Sequence, residues 1–388
     1  MLNFDAIGRV YIWILVVLIM PEISALSPVL SSARHVLVIQ PLVGIGDMIW
    51  HKPWIDELAR THKVTLMTKP TVQAEVIFEG APANFSVLRL ERSIRGRRGR
   101  HDGPIGFFRL VNDMRATGAD TAVILHASPR YALAARLAGI SWRLGYGIGR
   151  QKHHLNAGHY LELAALKMHA IDRVRRFAEL NGFGVKDPVW SVQPRGPALA
   201  EAKRLLASWG LMPDRQTGPQ TGRQTDPQRA ARFLCIGIGS MNPERQWGAA
   251  RFAELITQLA QHRPDLSCLI LGGPGERELA EQITTRLQKD ELSAPVFLGK
   301  LDEAVGLMTL SGGYVGNDTG LLNFMVCCDK PVLGLFSHSP PLTYSTNLHK
   351  TEAVKDDEFG QPDIIQKITP VHVLDKINSL WPAAEKVT

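Results

Sequence analysis

Short apolar runs alternate with helix-length segments twice along this chain, once on each side of a polar insert. In the first half, His35–Gln40 (HVLVIQ) is an apolar run of buried-strand length. The loop Pro41–Gly46 follows, and Asp47–Thr61 reads as a helix. Lys63–Thr68, Ser86–Leu90, Thr121–Leu125 and Trp142–Tyr146 read as further strands, with helices around Tyr131–Leu137 and over Ile171–Asn181. The second half repeats the pattern: strand Phe233–Gly237, helix Gly248–Ala260, strand Leu266–Leu271, helix Glu276–Leu287, strand Pro295–Leu298, helix Asp302–Leu310. Between the halves, Gln216–Arg229 is polar and rich in Gly, Pro and Gln, and reads as a disordered surface insertion. Strand–helix alternation implies parallel, doubly wound sheets. The expected fold class is therefore α/β, with two Rossmann-like domains whose sheets face a cleft where ligands bind. The expected segments are an apolar N-terminal extension (1–33), a first domain (34–195), a linker with the insertion (196–231) and a second domain (232–388). A chain of 388 residues is long enough for two cores.

The second repeat ends in Gly-Tyr-Val-Gly-Asn-Asp-Thr-Gly-Leu-Leu-Asn, residues 313–323. A strand from Gly313 to Val315 runs into Gly316-Asn317, and Asp318 or Thr319 is placed to cap a helix through Val326. Gly320 leaves backbone N–H groups open in the first turn, a setting that suits phosphate. A second strand, Val332–Phe336, completes the layout of a nucleotide site at the carboxyl edge of a parallel sheet. An ordinary capped helix in an α/β domain is the plainer reading.

Composition is that of a soluble globular protein, at 45% hydrophobic and 21% charged residues. The net charge of +7 is compatible with anionic substrates, a membrane surface or nucleic acid. Cys235, Cys268, Cys327 and Cys328 show no metal spacing and read as buried thiols of a reducing compartment. The histidines form no ligand pattern, so no metal and no cofactor are expected. Val10–Met20 is an unbroken apolar run, too short for a spanning helix, and reads as an extension that lies on the inner membrane or packs loosely. A misassigned start is the alternative.

Four stretches together resemble the glycosyltransferase family that includes the lipopolysaccharide heptosyltransferases. Gly44-Ile45-Gly46-Asp47 is similar to its G-x-G-D loop, and Gly239–Trp247 (GSMNPERQW) to its segment ending in Lys/Arg-x-Trp. Leu271–Leu279 (LGGPGEREL) resembles its G-G-P-x-D/E-x-E-L. Asp318-Thr319-Gly320, followed by Lys330-Pro331-Val332 and Leu335-Phe336, resembles its D-T/S-G motif and the strand beyond. Arg143-Leu144-Gly145-Tyr146 is similar to its R-I/L-G-Y. The resemblance implies a GT-B fold, with acceptor in the N-terminal half and nucleotide sugar in the C-terminal half. Three positions depart from the pattern: Asn323 stands where the family has His, Met241 where it has a hydroxyl, and Ser337 where it has Gly.

The resemblance assigns Asp47 as the base that takes the acceptor proton during inverting transfer, a task that needs a carboxylate or His beside the acceptor hydroxyl. Helix capping is the competing role for Asp47, and His51 is a weaker candidate base. Arg245 and Ser240 resemble the family's diphosphate-binding pair, with the guanidinium neutralising the leaving group in place of a metal; a solvated charge is the alternative for Arg245. Trp247 reads as packing. Glu276, beyond Gly272-Gly273, suits the ribose hydroxyls, with Glu278 and simple helix capping as competitors. Asp318, Thr319, Gly320 and Asn323 complete the expected donor site with Gly273. Gly46, Arg95, Arg97 and Arg98 are the expected acceptor contacts. The last three belong to a run from Arg89 to Arg100 whose charge Glu91 and Asp102 offset little. Arg150, Lys152, His153 and His154 extend that surface. The expected partners are a nucleotide-sugar donor, an anionic glycolipid acceptor and the inner-membrane surface, with no nucleic acid, at a cytoplasmic, peripheral location. The resulting reading is an inverting, metal-independent transferase moving a sugar, heptose from ADP-heptose, onto a lipopolysaccharide core. A sugar-nucleotide epimerase and a non-catalytic nucleotide-sugar-binding protein are the alternatives.

Overall fold

His35–Gln40 (β1) is buried at every position, as a central strand of a parallel sheet requires. The computed structural model describes residues 28–93, 96, 98–211, 233–240, 242–336, 344–351 and 364–383. The run Val10–Met20, the insert Gln216–Arg229, Arg95, Arg97, Met241 and Ser337 lie outside the described residues. β1 pairs with β2 (Lys63–Thr68) on one side and β4 (Thr121–Ile124) on the other. With β3 (Phe85–Arg89) and β5 (Trp142–Gly145) they form a five-stranded parallel sheet in the order β3-β2-β1-β4-β5. The second sheet is also parallel and has six strands in the order β11-β10-β9-β6-β7-β8. These are β6 (Phe233–Gly237), β7 (Ser267–Leu271), β8 (Val296–Phe297), β9 (Gly313–Asn317), β10 (Val332–Leu335) and β11 (Leu348–Lys350).

The described chain forms two compact units. One holds the chain up to Val43, Trp50–Val72 and Ala81–Val189; the other holds Gly44–Ile49, Gln73–Gly80 and the chain from Trp190 onward. Each unit has its own apolar core, built around Leu37, Ile39 and Ile124 in the first and around Ile236, Phe252 and Val315 in the second.

Most expected elements shift by only one or two residues. The helix expected from Asp47 begins at Ile45, and the one expected from Gly248 begins at Ala249, because Gly248 has φ 96° and stands outside the helix. The reading missed the short helices Pro28–Ser32 and Ala74–Ile77, the three-residue strand β11, and three longer helices, Gly103–Ala116, Gly196–Ser208 and Pro370–Leu380. All three longer helices carry proline in their first two positions, where a missing N–H costs nothing.

Candidate functional site

In the second unit the strand order reverses at β6, with β7 and β8 on one side and β9, β10 and β11 on the other. Loops leaving such a point diverge and open a crevice at the carboxyl ends. The loops after β6, β7 and β9 carry Ser240 to Arg245, Gly273 to Glu276, and Asp318 to Gly320. Close approach of β6 and β9 depends on glycine: a Cβ at Gly316 would stand 2.3 Å from the carbonyl oxygen of Gly237.

Asn317, at the end of β9, ties two of these loops together. Its Nδ2 donates to the carbonyls of Ile238 (2.9 Å) and Gly239 (3.2 Å) and to Gln246 Oε1 (3.0 Å). Its Oδ1 accepts from the Trp247 N–H at 3.2 Å. The side chain is fully buried. Truncation would strand a buried backbone N–H and two carbonyls, so Asn317→Ala is expected to cost about 2–4 kcal/mol by chemical denaturation. The same change should raise the donor KM, because it frees the segment bearing Arg245.

Arg245 lies in a 3-10 turn, Pro243–Arg245. Its Nη1 donates to Asp318 Oδ2 at 3.1 Å, with both side chains part-buried. Its Nε is buried with no partner among the described residues. Burial raises the Asp318 pKa, and Arg245 pulls it back down. Ser240 Oγ is turned into its own loop, donating to the Asn242 carbonyl at 2.7 Å and accepting from the Asn242 N–H at 3.2 Å.

Glu276 Oε2 accepts from the Gly273 N–H at 2.8 Å. Its carboxyl lies against Gly239, where a Cβ would come 3.3 Å from Cδ. The competitor, Glu278, sits on the exposed face of the following helix, where its Oε1 accepts from Gln282 at 3.5 Å.

The expected cap at the start of Gly320–Val326 is corrected in one respect: Thr319 occupies the N-cap position, but its side chain makes no capping hydrogen bond. The helix is only seven residues long. Asn323 is buried and holds the turn from inside: Nδ2 donates to the Thr319 carbonyl at 3.0 Å, and Oδ1 accepts from the Tyr344 hydroxyl at 2.7 Å. Trp247 is buried, its indole N–H donating to the Ile368 carbonyl at 2.8 Å, as expected of a packing residue.

The Gly44–Ile49 segment belongs to this same unit, and a Cβ on Gly320 would stand 2.9 Å from Ile45 Cβ. Asp47 is inside the helix's first turn, not at its cap; its Oδ2 reaches back to accept from the Gly44 N–H at 3.1 Å. Burial raises its pKa, and the Gly44 hydrogen bond partly offsets that. Gly46 is buried beside it. His51 is also buried.

In the first unit the arginine-bearing loop is less of a free charge run than the sequence suggested. Asp102 accepts from the N–H groups of Ser93 (2.6 Å) and Gly99 (2.8 Å) and from Arg92 Nε (3.1 Å). Arg100 pairs with Asp113, which also meets His101 Nε2 at 2.8 Å. Arg98 is exposed. Beyond β4, His126 is a residue the sequence reading missed. The Ser128 N–H donates to its Nδ1 at 3.0 Å, which places its proton on Nε2. Burial first, then the charges of Arg173, Lys69 and Arg92, lower its pKa to about 4. In the same unit, a groove of about 380 Å³ is lined by Phe107, Pro129, Arg130, Leu133, Arg150 and His154. No local motif marks His126; only the strand end Leu125 before it could have drawn attention. Among the described residues no group of His, Cys, Asp and Glu has a metal-holding arrangement.

Comparison with known proteins adds the following. Residues 107–367, well over half of the chain, match Glycosyltransferase family 9 (heptosyltransferase); the match begins beyond the Gly44–Asp47 loop. Lipopolysaccharide heptosyltransferase 2 of Salmonella typhimurium is 26% identical over 162 residues, which span 38% of this chain and 45% of that protein. The alignment thus covers less than half the length of that curated relative. The structure of E. coli ADP-heptose lps heptosyltransferase II superposes with a TM-score of 0.66 at 19% identity, covering 89% of this chain and 98% of that one. A glycosyl transferase family 9 structure from Veillonella parvula gives a TM-score of 0.70 at 18% identity, covering 89% and 97%. These likenesses establish the fold as α/β with two parallel sheets, as in GT-B-like heptosyltransferases.

Proposed function

The chain belongs to glycosyltransferase family 9, the heptosyltransferase family, and from that premise we propose that it transfers heptose from ADP-heptose, with inversion and without a metal, onto an anionic, lipid-anchored core glycan. The observation that carries this reading is the conjunction in one unit of the Arg245–Asp318 pair, Glu276 and the desolvated Asp47 loop packed at Gly320. ADP-heptose enters from the name of the E. coli relative.

In this reading the acceptor oxygen forms the new bond to the anomeric carbon while the bond from that carbon to the diphosphate breaks. The acceptor proton passes to Asp47, and the electron pair leaves on the diphosphate. Arg245, whose Nε has no partner among the described residues, binds the departing charge. An ionised Asp318 would repel a diphosphate, so its contribution is to aim Arg245; Asn323 positions the turn rather than touching the donor. Glu276 receives the ribose hydroxyls. The first unit takes the acceptor, and Lys69, Arg92, Arg173 and the Nε2–H of neutral His126 suit an anionic sugar or phosphate.

A thermal-shift comparison of ADP, UDP and GDP tests the donor side. Saturating ADP is expected to raise Tm by a few degrees, the size that about 2–3 kcal/mol of binding linkage produces. A larger shift with UDP or GDP would replace the assigned base. No shift with any of the three would remove the donor site from the second unit.

A further inference from the structure

Helix Gly103–Ala116 turns two large apolar side chains into solvent. Ile105 is 71% exposed and Phe108 is 64% exposed. At i and i+3 they lie side by side on one face. Arg109 is exposed beside them, one turn from Ile105. Arg98 is exposed at the helix entry, held there because Gly99 next to it donates to Asp102, the residue preceding the helix. From residue 98 to residue 116 the only acids are Asp102 and Asp113, and both are consumed in ion pairs with Arg92 and Arg100. The helix face is therefore apolar at Ile105 and Phe108, with Arg109 beside them and Arg98 exposed at the helix entry.

We propose that this face docks the protein on an anionic lipid bilayer, with Ile105 and Phe108 entering the headgroup–acyl boundary and Arg98 and Arg109 contacting lipid phosphates. The proposal deepens the proposed function, resting on the reading that the acceptor is lipid-anchored. Two arguments favour lipid over a second protein. The two side chains offer roughly 200–400 Å² of apolar surface, far below the roughly 1,000 Å² that a stable protein interface needs. A small apolar contact joined to exposed positive charge is instead the combination by which peripheral proteins hold to anionic membranes.

The test uses the full chain and vesicles of phosphatidylcholine with or without phosphatidylglycerol, with no sugar acceptor and no nucleotide. Transfer activity therefore does not enter the result, and failure of the docking idea is separable from failure of the enzymatic one. Phe108→Trp in vesicles of brominated lipid is expected to show quenching beyond that of the parent protein. Ile105→Ser with Phe108→Ser should weaken vesicle binding about thirtyfold with an unchanged melting temperature. Arg98→Ser with Arg109→Ser should weaken binding to anionic vesicles about tenfold or more at low salt and leave binding to neutral vesicles unchanged. Absence of extra quenching in Phe108→Trp overturns the proposal even if the serine variants fail to fold. A serine pair that converts a dimer to a monomer in sedimentation, with vesicle binding intact, would make this face a contact between copies and equally overturn it.

Discussion

Asp47→Asn is expected to lower kcat about a hundredfold or more, the usual worth of a positioned general base, while leaving the protein at least as stable as before. The two halves of that expectation come from the same geometry. The carboxyl is desolvated and its pKa is raised above the ordinary carboxylate value. A base with a raised pKa loses its proton late, so the acid limb of kcat against pH should lie above the usual carboxylate range in the parent and vanish in the variant. For stability the sign is opposite to that of a salt-bridged acid. Protonated Asp47 is favoured in the folded chain, so its contribution is complete at low pH and is lost as pH rises through its raised value. At neutral pH the ionised side chain is a burden that asparagine removes, while the amide oxygen still accepts from the Gly44 N–H. A Tm at pH 7 equal to or above the parent's, with turnover near background, is the expected pairing. Near-normal turnover would reject Asp47 as the base.

Arg245→Ala should weaken ADP binding about 10–100-fold, leave adenosine binding nearly unchanged, and lower kcat/KM by about 10²–10³-fold, because the guanidinium meets charge that grows in the transition state. The substitution also leaves Asp318 as a part-buried carboxylate without its cation. For a fully buried pair that would cost 3–5 kcal/mol; with Arg245 one-third exposed, solvent screening reduces the expectation to about 1–2 kcal/mol. Adding Asp318→Asn to Arg245→Ala should recover that stability without recovering activity. Arg245→Lys should fall between, since it keeps the charge but loses the planar fork. Calorimetry with ADP and adenosine, alongside denaturation of the single and double variants, separates the two effects. Equal losses for both ligands would mean that Arg245 holds the fold rather than the phosphates.

The parallel sheets were legible because their strands are nearly continuous apolar runs: β1, β2 and β6 lie where HVLVIQ, KVTLMT and FLCIG place them. Helix Gly103–Ala116 was not, because its Gly-Pro start looks like a loop and its arginines continue the charged run before it. The site divides the same way. The turn at Asp318-Thr319-Gly320 follows a recognisable strand, so its place at the carboxyl edge could be read locally. The Arg245–Asp318 pair spans 73 residues and no local pattern announces it. Asn317 was visible as a letter in the motif, but its bonds to the loop after β6 exist only once β9 lies beside β6. The neutralised arginines fall in the same class, since Asp113 meets Arg100 only after a helix has formed.

The most direct measurement of the central claim is release of ADP from ADP-heptose by the full-length protein, with and without a heptose-deficient lipopolysaccharide core. The account predicts ADP release only when the acceptor is present, matched mole for mole by heptose gained on the core with its anomeric configuration inverted. Turnover of the donor at the same rate without acceptor, or retention of configuration in the product, would contradict it.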